Sequence, residues 1–320
     1  MPRQALLRVA SALCTAVALH CEGPTKVVPA VGRWPGGITG QLAFTSAGGS
    51  LYVAISADVP PRPVAEVPLW LRNSDALRVA WNPRSDTLAV SGLVQRGVGP
   101  GLLMWYVDPS GSQPPAPPFF PVWDYPTWAP DGRFASCQYL HLGDVWDEFV
   151  VLGGSPVLRG CSGPFDIFPD GRSLALSRIL TRVEQVSGPA TYTFGLYVVP
   201  LADTAAGRFL VVDTVQVPGC PSLENCPLPP RLDPVISPAG DQIAFVRSSM
   251  SGGIAIWVVS PDGTGLRRLT AGGGPPAWSP DGTWVVFLGL GGIAAIRPDG
   301  TDSLRLFTLP TIGAFGWSRQ

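Results

Sequence analysis

Charged residues are scarce in this sequence of 320 residues. Asp, Glu, Lys and Arg together make up 14% of it, the formal net charge is −1, and Lys26 is the only lysine. Proteins that bind nucleic acid carry a basic stripe that neutralises phosphates, and no such stripe is present. Long amphipathic helices rich in Lys and Glu are missing as well. The composition therefore excludes a nucleic-acid partner and argues against a helical bundle.

Long apolar runs are also missing. Beyond the N-terminal segment, no stretch reaches 18 uninterrupted apolar residues, so no membrane-spanning helix is predicted. Glycine (38 residues) and proline (36 residues) are abundant but do not recur at every third position, which excludes collagen. A hydrophobic fraction of 46% and 11 tryptophans argue against disorder. An all-β protein of short strands and tight turns remains.

The first twenty residues have the pattern of an export signal. Two arginines precede an apolar core of 11 residues, Val9–Leu19, which is too short to cross a bilayer. Residues 1–20 are therefore predicted to be a signal peptide. Two processing routes remain open: cleavage after the small residues Ala16 and Ala18, or a lipoprotein route with Cys21 as the lipidated residue. The histidine before Cys21 departs from the lipoprotein pattern. The first route predicts secretion to the periplasm, and the second predicts a lipoprotein that contacts the membrane only through its lipid anchor.

Four cysteines remain after this segment, an even number that suits an oxidising compartment. Cys220 and Cys226 lie in a proline-rich stretch and are predicted to form a local disulfide. Cys137 falls on a predicted strand, where a buried thiol would fit, and whether Cys137 and Cys161 are bonded to each other is left open. A metal site is not predicted, because the cysteine spacing is wrong for zinc and one histidine is left to act as a ligand. Turn chemistry accounts for aspartate-rich loops such as the one from Asp299 to Asp302, and whether they bind calcium is left open.

A repeated phrase organises the rest of the chain. An apolar or aromatic residue, here called the anchor, is followed by a small residue, a proline, a turn and an apolar strand. Proline fixes φ and glycine accepts a positive φ, so Pro-Asp-Gly makes the turn between two antiparallel strands. The separations between anchors are 47, 39, 69, 42 and 39 residues, and about 40 residues is the length of a four-stranded propeller blade. The six anchors are Trp81, Trp128, Ile167, Ile236, Trp278 and Trp317.

Six anchors predict a six-bladed β-propeller with four-stranded antiparallel blades. The separation of 69 residues leaves room for an extra blade, but one blade with three strands over Ser173–Val183, Thr193–Val199 and Arg208–Val215 accounts for it better. The last anchor has no strands after it, and the strands in Gly40–Ile55 have no anchor before them. Strands from both termini are therefore expected to share one blade and close the ring. The predicted domains are a signal peptide (1–20), a linker (21–36) and the propeller (37–320).

The phrase Trp278–Phe287, together with Ile256–Thr270, resembles the TolB-type propeller family of WD-like W-S-P-D-G repeats. The resemblance covers roughly residues 37–320, and the copies at 81, 167 and 236 depart from its consensus. It implies a periplasmic propeller that binds other envelope proteins. Because propellers host many activities, the motif is specific for fold and says little about function.

The innermost strand of each blade lines the central channel, so polar residues just before the anchors are candidates for a ligand-binding rim. These are Arg78, Asp124 and Asp233, with Tyr125 beside them. Their alternative role is to pair with one another for stability. A second candidate surface is the strip Pro114–Pro121, which contains Phe119 and Phe120 and is followed by Trp123. Its aromatic side chains are expected either to contact a partner or to cover a blade end.

Catalytic constellations are sparse. One histidine remains after the signal, and no nucleophile elbow or facing pair of carboxylates is evident. The sequence therefore favours a non-catalytic, monomeric binding module for an envelope protein or peptide, with no cofactor. An enzyme, or a sensor of a small molecule or carbohydrate with its site in the channel, is kept as the alternative.

Overall fold

The computed structural model describes residues 30–31, 40–46, 49–55, 59–68, 77–96, 99–112, 123–142, 145–161, 163–183, 189–217, 232–248, 253–308 and 312–318. Phe119, Phe120, Cys21, Cys220 and Cys226 lie outside this part of the chain. Within it, the only helical element is one turn of 3-10 helix at Thr204–Ala206, and no helix is long and apolar enough to cross a membrane.

The strands form six antiparallel sheets around a central channel, which confirms the six-bladed β-propeller. From the channel outward, blade 1 contains β24 (Ile312–Trp317), β2 (Leu42–Ser46), β3 (Ser50–Ala54) and β4 (Arg62–Glu66). Blade 2 contains β5 (Arg78–Trp81), β6 (Leu88–Arg96) and β7 (Gly99–Val107) within the described residues. Blade 3 contains β8 (Trp123–Trp128), β9 (Phe134–Leu142), β10 (Val145–Leu152) and β11 (Ser155–Arg159).

The other three blades follow in chain order. Blade 4 contains β12 (Phe165–Ile167), β13 (Ser173–Val183), β14 (Ala190–Pro200) and β15 (Arg208–Val217). Blade 5 contains β16 (Val235–Ile236), β17 (Ile243–Ser248), β18 (Ile254–Val259) and β19 (Arg267–Arg268). Blade 6 contains β20 (Pro276–Trp278), β21 (Val285–Gly289), β22 (Gly292–Ile296) and β23 (Ser303–Thr308). The long separation between anchors thus holds one blade, as predicted.

Both termini contribute to the ring. β24 pairs with β2, with Leu42 opposite Trp317, so a C-terminal strand is the innermost strand of an otherwise N-terminal blade. In addition, β1 (Ala30–Val31) pairs with β23 and adds a fifth strand to the outer edge of blade 6. The prediction that strands from both termini close the ring is confirmed.

The core lies between the blades rather than within them, because each sheet has two apolar faces and buries them only against its neighbours. Phe44 of blade 1 packs on Phe307 of blade 6, with ring centroids 5.3 Å apart. The anchor tryptophans fill the same interfaces. Trp81 Nε1 donates to the Gly316 carbonyl, and Trp278 Nε1 donates to the Val235 carbonyl, each over 3.0 Å. In both cases the acceptor belongs to the preceding blade. These hydrogen bonds link adjacent blades.

The Pro-Asp-Gly turns are closed by aspartate side chains. At Asp262 and Asp299 the carboxylate accepts hydrogen bonds from the backbone and hydroxyl of the threonine two residues later. The hydroxyl bonds from Thr264 and Thr301, followed by the backbone bonds, hold the pKa of these carboxyls below the usual value. Turn chemistry therefore accounts for these acidic loops, and the described residues contain no group of three or more side chains able to hold a metal.

These turns predict a specific dependence of stability on pH. A carboxyl whose pKa is lower in the folded state than in the unfolded state stabilises the fold above its unfolded pKa, about 4, and this contribution is lost as the pH falls through the folded pKa. We expect the melting temperature of the double variant Asp262→Asn, Asp299→Asn to fall less steeply between about pH 4 and pH 2 than that of the wild type. Calorimetric scans over this range test the expectation, and parallel profiles would contradict it.

Candidate functional site

The channel opens where the six innermost strands begin, and this end is called the mouth. The residue three positions before each anchor occupies the same height in every blade, and these six positions are called the rim. Because β24, β5, β8, β12, β16 and β20 all start here, the hairpins between second and third strands lie on the same face. The rim residues are Arg78, Tyr125, Pro164, Asp233, Pro275 and Ala314.

Three predicted site residues meet at this rim. Arg78 belongs to blade 2 and Asp233 precedes the inner strand of blade 5, so the two lie in opposite blades of the ring. Their side chains nevertheless form an ion pair, with Nη1 and Oδ1 2.5 Å apart. The guanidinium carbon of Arg78 lies 5.2 Å from the centre of the Tyr125 ring, which blade 3 supplies. The ion pair therefore spans the mouth of the channel, and the predicted mutual pairing of Arg78 and Asp233 is what the structure shows.

The backbone at two of these residues is unusual. Tyr125 has φ 53° and Asp233 has φ 43°, in the left-handed region that residues other than glycine rarely adopt. Each also precedes a proline, which further restricts the conformations open to it. Such conformations cost about 1–3 kcal/mol and persist where the surrounding structure enforces them, often at functional sites. The strain lies at the two residues that hold the Arg78 side chain.

Behind the ion pair is a cavity of about 600 Å³. Its described lining is largely apolar and includes the anchors Trp81, Trp278 and Trp317. Its charged members are Arg78, Asp233 and Asp166, so the lining carries a formal charge of −1. The described lining contains no histidine or cysteine.

Asp166 is a channel residue that sequence reasoning missed. It is 5% exposed, and its Oδ1 accepts a hydrogen bond from the Ile167 amide at 2.9 Å. Its Oδ2 accepts one from the Ile236 amide of blade 5, also at 2.9 Å, and the Thr127 hydroxyl of blade 3 approaches at 3.4 Å. One carboxylate thus joins three blades. The sequence could have indicated this residue when the anchors are aligned. The residue directly before the anchor is polar in two copies, Thr127 and Asp166, whereas in the other four it is Ala80, Val235, Ala277 or Gly316.

Three other predicted residues, Trp123, Asp124 and Cys137, lie on strands of blade 3. Trp123 and Asp124 lie in β8, but their side chains are outside the described part of the structure. For Cys137 the structure answers the question that the sequence left open, since it forms a disulfide with Cys161, with the two Cα atoms 5.8 Å apart. The bond links β9 of blade 3 to the connection that leads into the channel strand of blade 4, two residues before Gly163.

Known proteins share this architecture. No protein-family model and no curated protein matches the chain. Among solved structures, it is similar to TolB from Acinetobacter baumannii, with a TM-score of 0.60 and 16% sequence identity over 99% of this chain and 72% of that one. A TolB-type structure from Agrobacterium tumefaciens has a TM-score of 0.49 and 15% identity over 87% and 94% of the two chains. An oligogalacturonate lyase in complex with manganese has a TM-score of 0.41 and 13% identity over 88% and 78%. At these identities the likeness concerns the fold alone, and this chain has the TolB-type six-bladed β-propeller fold.

Proposed function

We propose that this protein is a non-catalytic binding module of the bacterial cell envelope and that it contacts an envelope protein or peptide with the mouth face of its propeller. The observation that carries the proposal is the convergence of Arg78, Tyr125 and Asp233 from three blades at one end of the channel. The likeness to TolB and the export-signal pattern of residues 1–20 support the envelope location, with Cys21 as the residue for an anchor.

Two further features favour binding at this face. The hairpin of β13 and β14 has strands of 11 residues each, against five in β2 and β3, so blade 4 extends beyond the mouth. Leu290, at the tip of the hairpin between β21 and β22 on the same face, is 96% exposed. Both features place accessible protein surface on the mouth face.

The ionisable groups of the channel favour binding over catalysis. Asp233 is engaged in the ion pair, and both oxygens of Asp166 accept hydrogen bonds from backbone amides. A nucleophile needs a base to activate it, and the described lining supplies neither histidine nor cysteine for such a pair. Turnover by the purified protein that Asp233→Ala or Asp124→Ala abolishes would replace this proposal with a channel enzyme.

Crosslinking from each face tests which surface is used. A photoreactive amino acid at position 290 is expected to capture an envelope protein in intact cells. The same amino acid at Leu266, which is 41% exposed on the opposite face, is the matched control and should capture none. Capture from position 266 but not from 290 would contradict the proposal.

The aromatic strip provides a second prediction. Replacing Phe119, Phe120 and Trp123 together with alanine is expected to weaken partner capture at the mouth while the protein still folds. Aromatic residues at the centre of an interface often contribute about 2 kcal/mol or more each. The measurement is the yield of the crosslinked product from position 290, with the melting temperature as the folding control. Undiminished yield would show that the strip does not contact the partner.

A further inference from the structure

The ion pair across the mouth bears on what can bind there. Arg78 and Asp233 come from opposite blades and are 22% and 12% exposed, so their contact crosses the opening to the cavity of about 600 Å³. A group that binds to either side chain at this contact must separate the two. The cost is smallest when the entering group replaces one partner, because a buried charge left without a partner is strongly unfavourable.

Two observations favour replacement of the arginine. The charged lining of the cavity consists of Arg78, Asp233 and Asp166, so an additional positive charge is favoured there and an additional negative charge is not. The Tyr125 ring and the Asp233 carboxylate already hold a guanidinium, which shows the kind of group that this part of the rim accepts. Both residues have left-handed backbone, which persists only because the surrounding structure enforces it.

We propose that Asp233 and Tyr125 form a receptor for a cationic side chain of the partner, an arginine or lysine, and that Arg78 occupies this receptor when the partner is absent. The partner's cation takes the place of Arg78 at Asp233 and reaches the cavity, where Asp166 adds negative charge. This inference rests on the proposed function and specifies the chemistry of the segment that enters the mouth.

The proposal makes an unusual prediction for Arg78. If Arg78 competes with the ligand, Arg78→Ala should tighten the binding of a cationic probe about tenfold. If Arg78 instead recognised an anionic ligand, the same change would abolish binding. Arg78→Gln keeps most of the side-chain length, removes the charge and is expected to act in the same direction, which provides a second variant if the alanine protein is unstable.

Titration calorimetry with capped Gly-Arg-Gly and Gly-Glu-Gly peptides, and with calcium chloride, tests this. Arg78→Ala should bind the arginine peptide, and adding Asp233→Asn should weaken this binding at least tenfold. Asparagine tolerates left-handed backbone, so this change removes charge with little strain. Asp213 is a matched control, because it forms a similar pair with Arg247 over Trp257 in blades 4 and 5 without lining the described channel. Asp213→Asn should change the affinity less than twofold.

Three outcomes would overturn the proposal: preference for the glutamate peptide, saturation by calcium alone, or no binding of the arginine peptide to either Arg78 variant. None of these would remove crosslinking from position 290, so the proposed function can survive the failure of this inference. Conversely, loss of crosslinking with retained peptide binding would remove the protein partner and leave a site for small cations.

Discussion

Deleting Ile312–Gln320 is expected to unfold the whole propeller rather than fray one edge. These residues include β24, whose loss would leave β2 without its inner neighbour and open the ring between blades 6 and 1. Trp317 is 6% exposed within the cluster that joins these blades, and Phe315 packs against the same cluster. Removal of one buried tryptophan or phenylalanine side chain costs about 3–5 kcal/mol. The loss of Trp317 is a large share of the stability of a typical domain, about 5–15 kcal/mol, and the loss of the half-buried Phe315 adds to it.

Polar contacts add to this effect. The amide of Ser318 donates to the Gln41 carbonyl at 2.8 Å, and the Ser318 hydroxyl accepts from the Gln41 amide at 2.7 Å. Trp81 in blade 2 would lose its acceptor, the Gly316 carbonyl. The truncated protein should therefore show no cooperative thermal transition by circular dichroism. Removal of residues 319–320 alone is the control and should leave the transition in place. A cooperative melt at the wild-type temperature for the longer deletion would refute closure by β24.

The propeller could be predicted from sequence because its repeat is local. Each turn and the strands beside it are specified within about ten residues, and the spacing of anchors such as Trp278 and Trp317 gives the length of a blade. The closure of the ring could also be predicted from local patterns. The last anchor, Trp317, has no strands after it, and the first strands, in Gly40–Ile55, have no anchor before them, so together they make one blade. The outer strands β4 and β1 carry no anchor, and the sequence argument did not identify either of them.

The rim was predictable as a set of positions, and pairing among its charged residues was one of the two roles that the sequence left open. Counting three residues back from the anchors Trp81 and Ile236 places Arg78 and Asp233 at one height in the channel. Whether two such side chains meet depends on the width of the ring, which local patterns do not contain. Asp166 was missed for a related reason, because its hydrogen bonds reach residues 39 and 70 positions away. The left-handed backbone at Tyr125 and Asp233 likewise results from tertiary structure.

The sequence left the pairing of Cys137 and Cys161 open, because it does not contain the distances between strands. Cys137 was placed correctly on a strand, yet its partner lies 24 residues later, after β10 and β11. A disulfide between Cys220 and Cys226 was predicted because the two cysteines are close together in the sequence. That second pairing lies outside the described residues and stays a prediction.

Loss of the Cys137–Cys161 bond is expected to be the second-largest destabilisation. In the chain-entropy treatment, a crosslink over a separation of 24 residues contributes about 3–4 kcal/mol by restricting the unfolded chain. Both cysteines are almost fully buried, at 6% and 2% exposed, so their replacement also disturbs the packing between blades 3 and 4. The double variant Cys137→Ser, Cys161→Ser should melt about 5–10 °C below the wild type, since each kcal/mol shifts the transition of a domain of this size by about 2 °C.

The paired variant Cys220→Ser, Cys226→Ser is the matched control for this measurement. A ring of so few residues would contribute about 2 kcal/mol if it forms, so its removal should lower the melting temperature by less. Reduction of the wild-type protein should reproduce the larger effect only after unfolding exposes the bond, because Cys137 and Cys161 are shielded from solvent in the native state. Equal melting temperatures for the Cys137→Ser, Cys161→Ser variant and the wild type, both purified under oxidising conditions, would show that the bond does not stabilise the junction between blades 3 and 4.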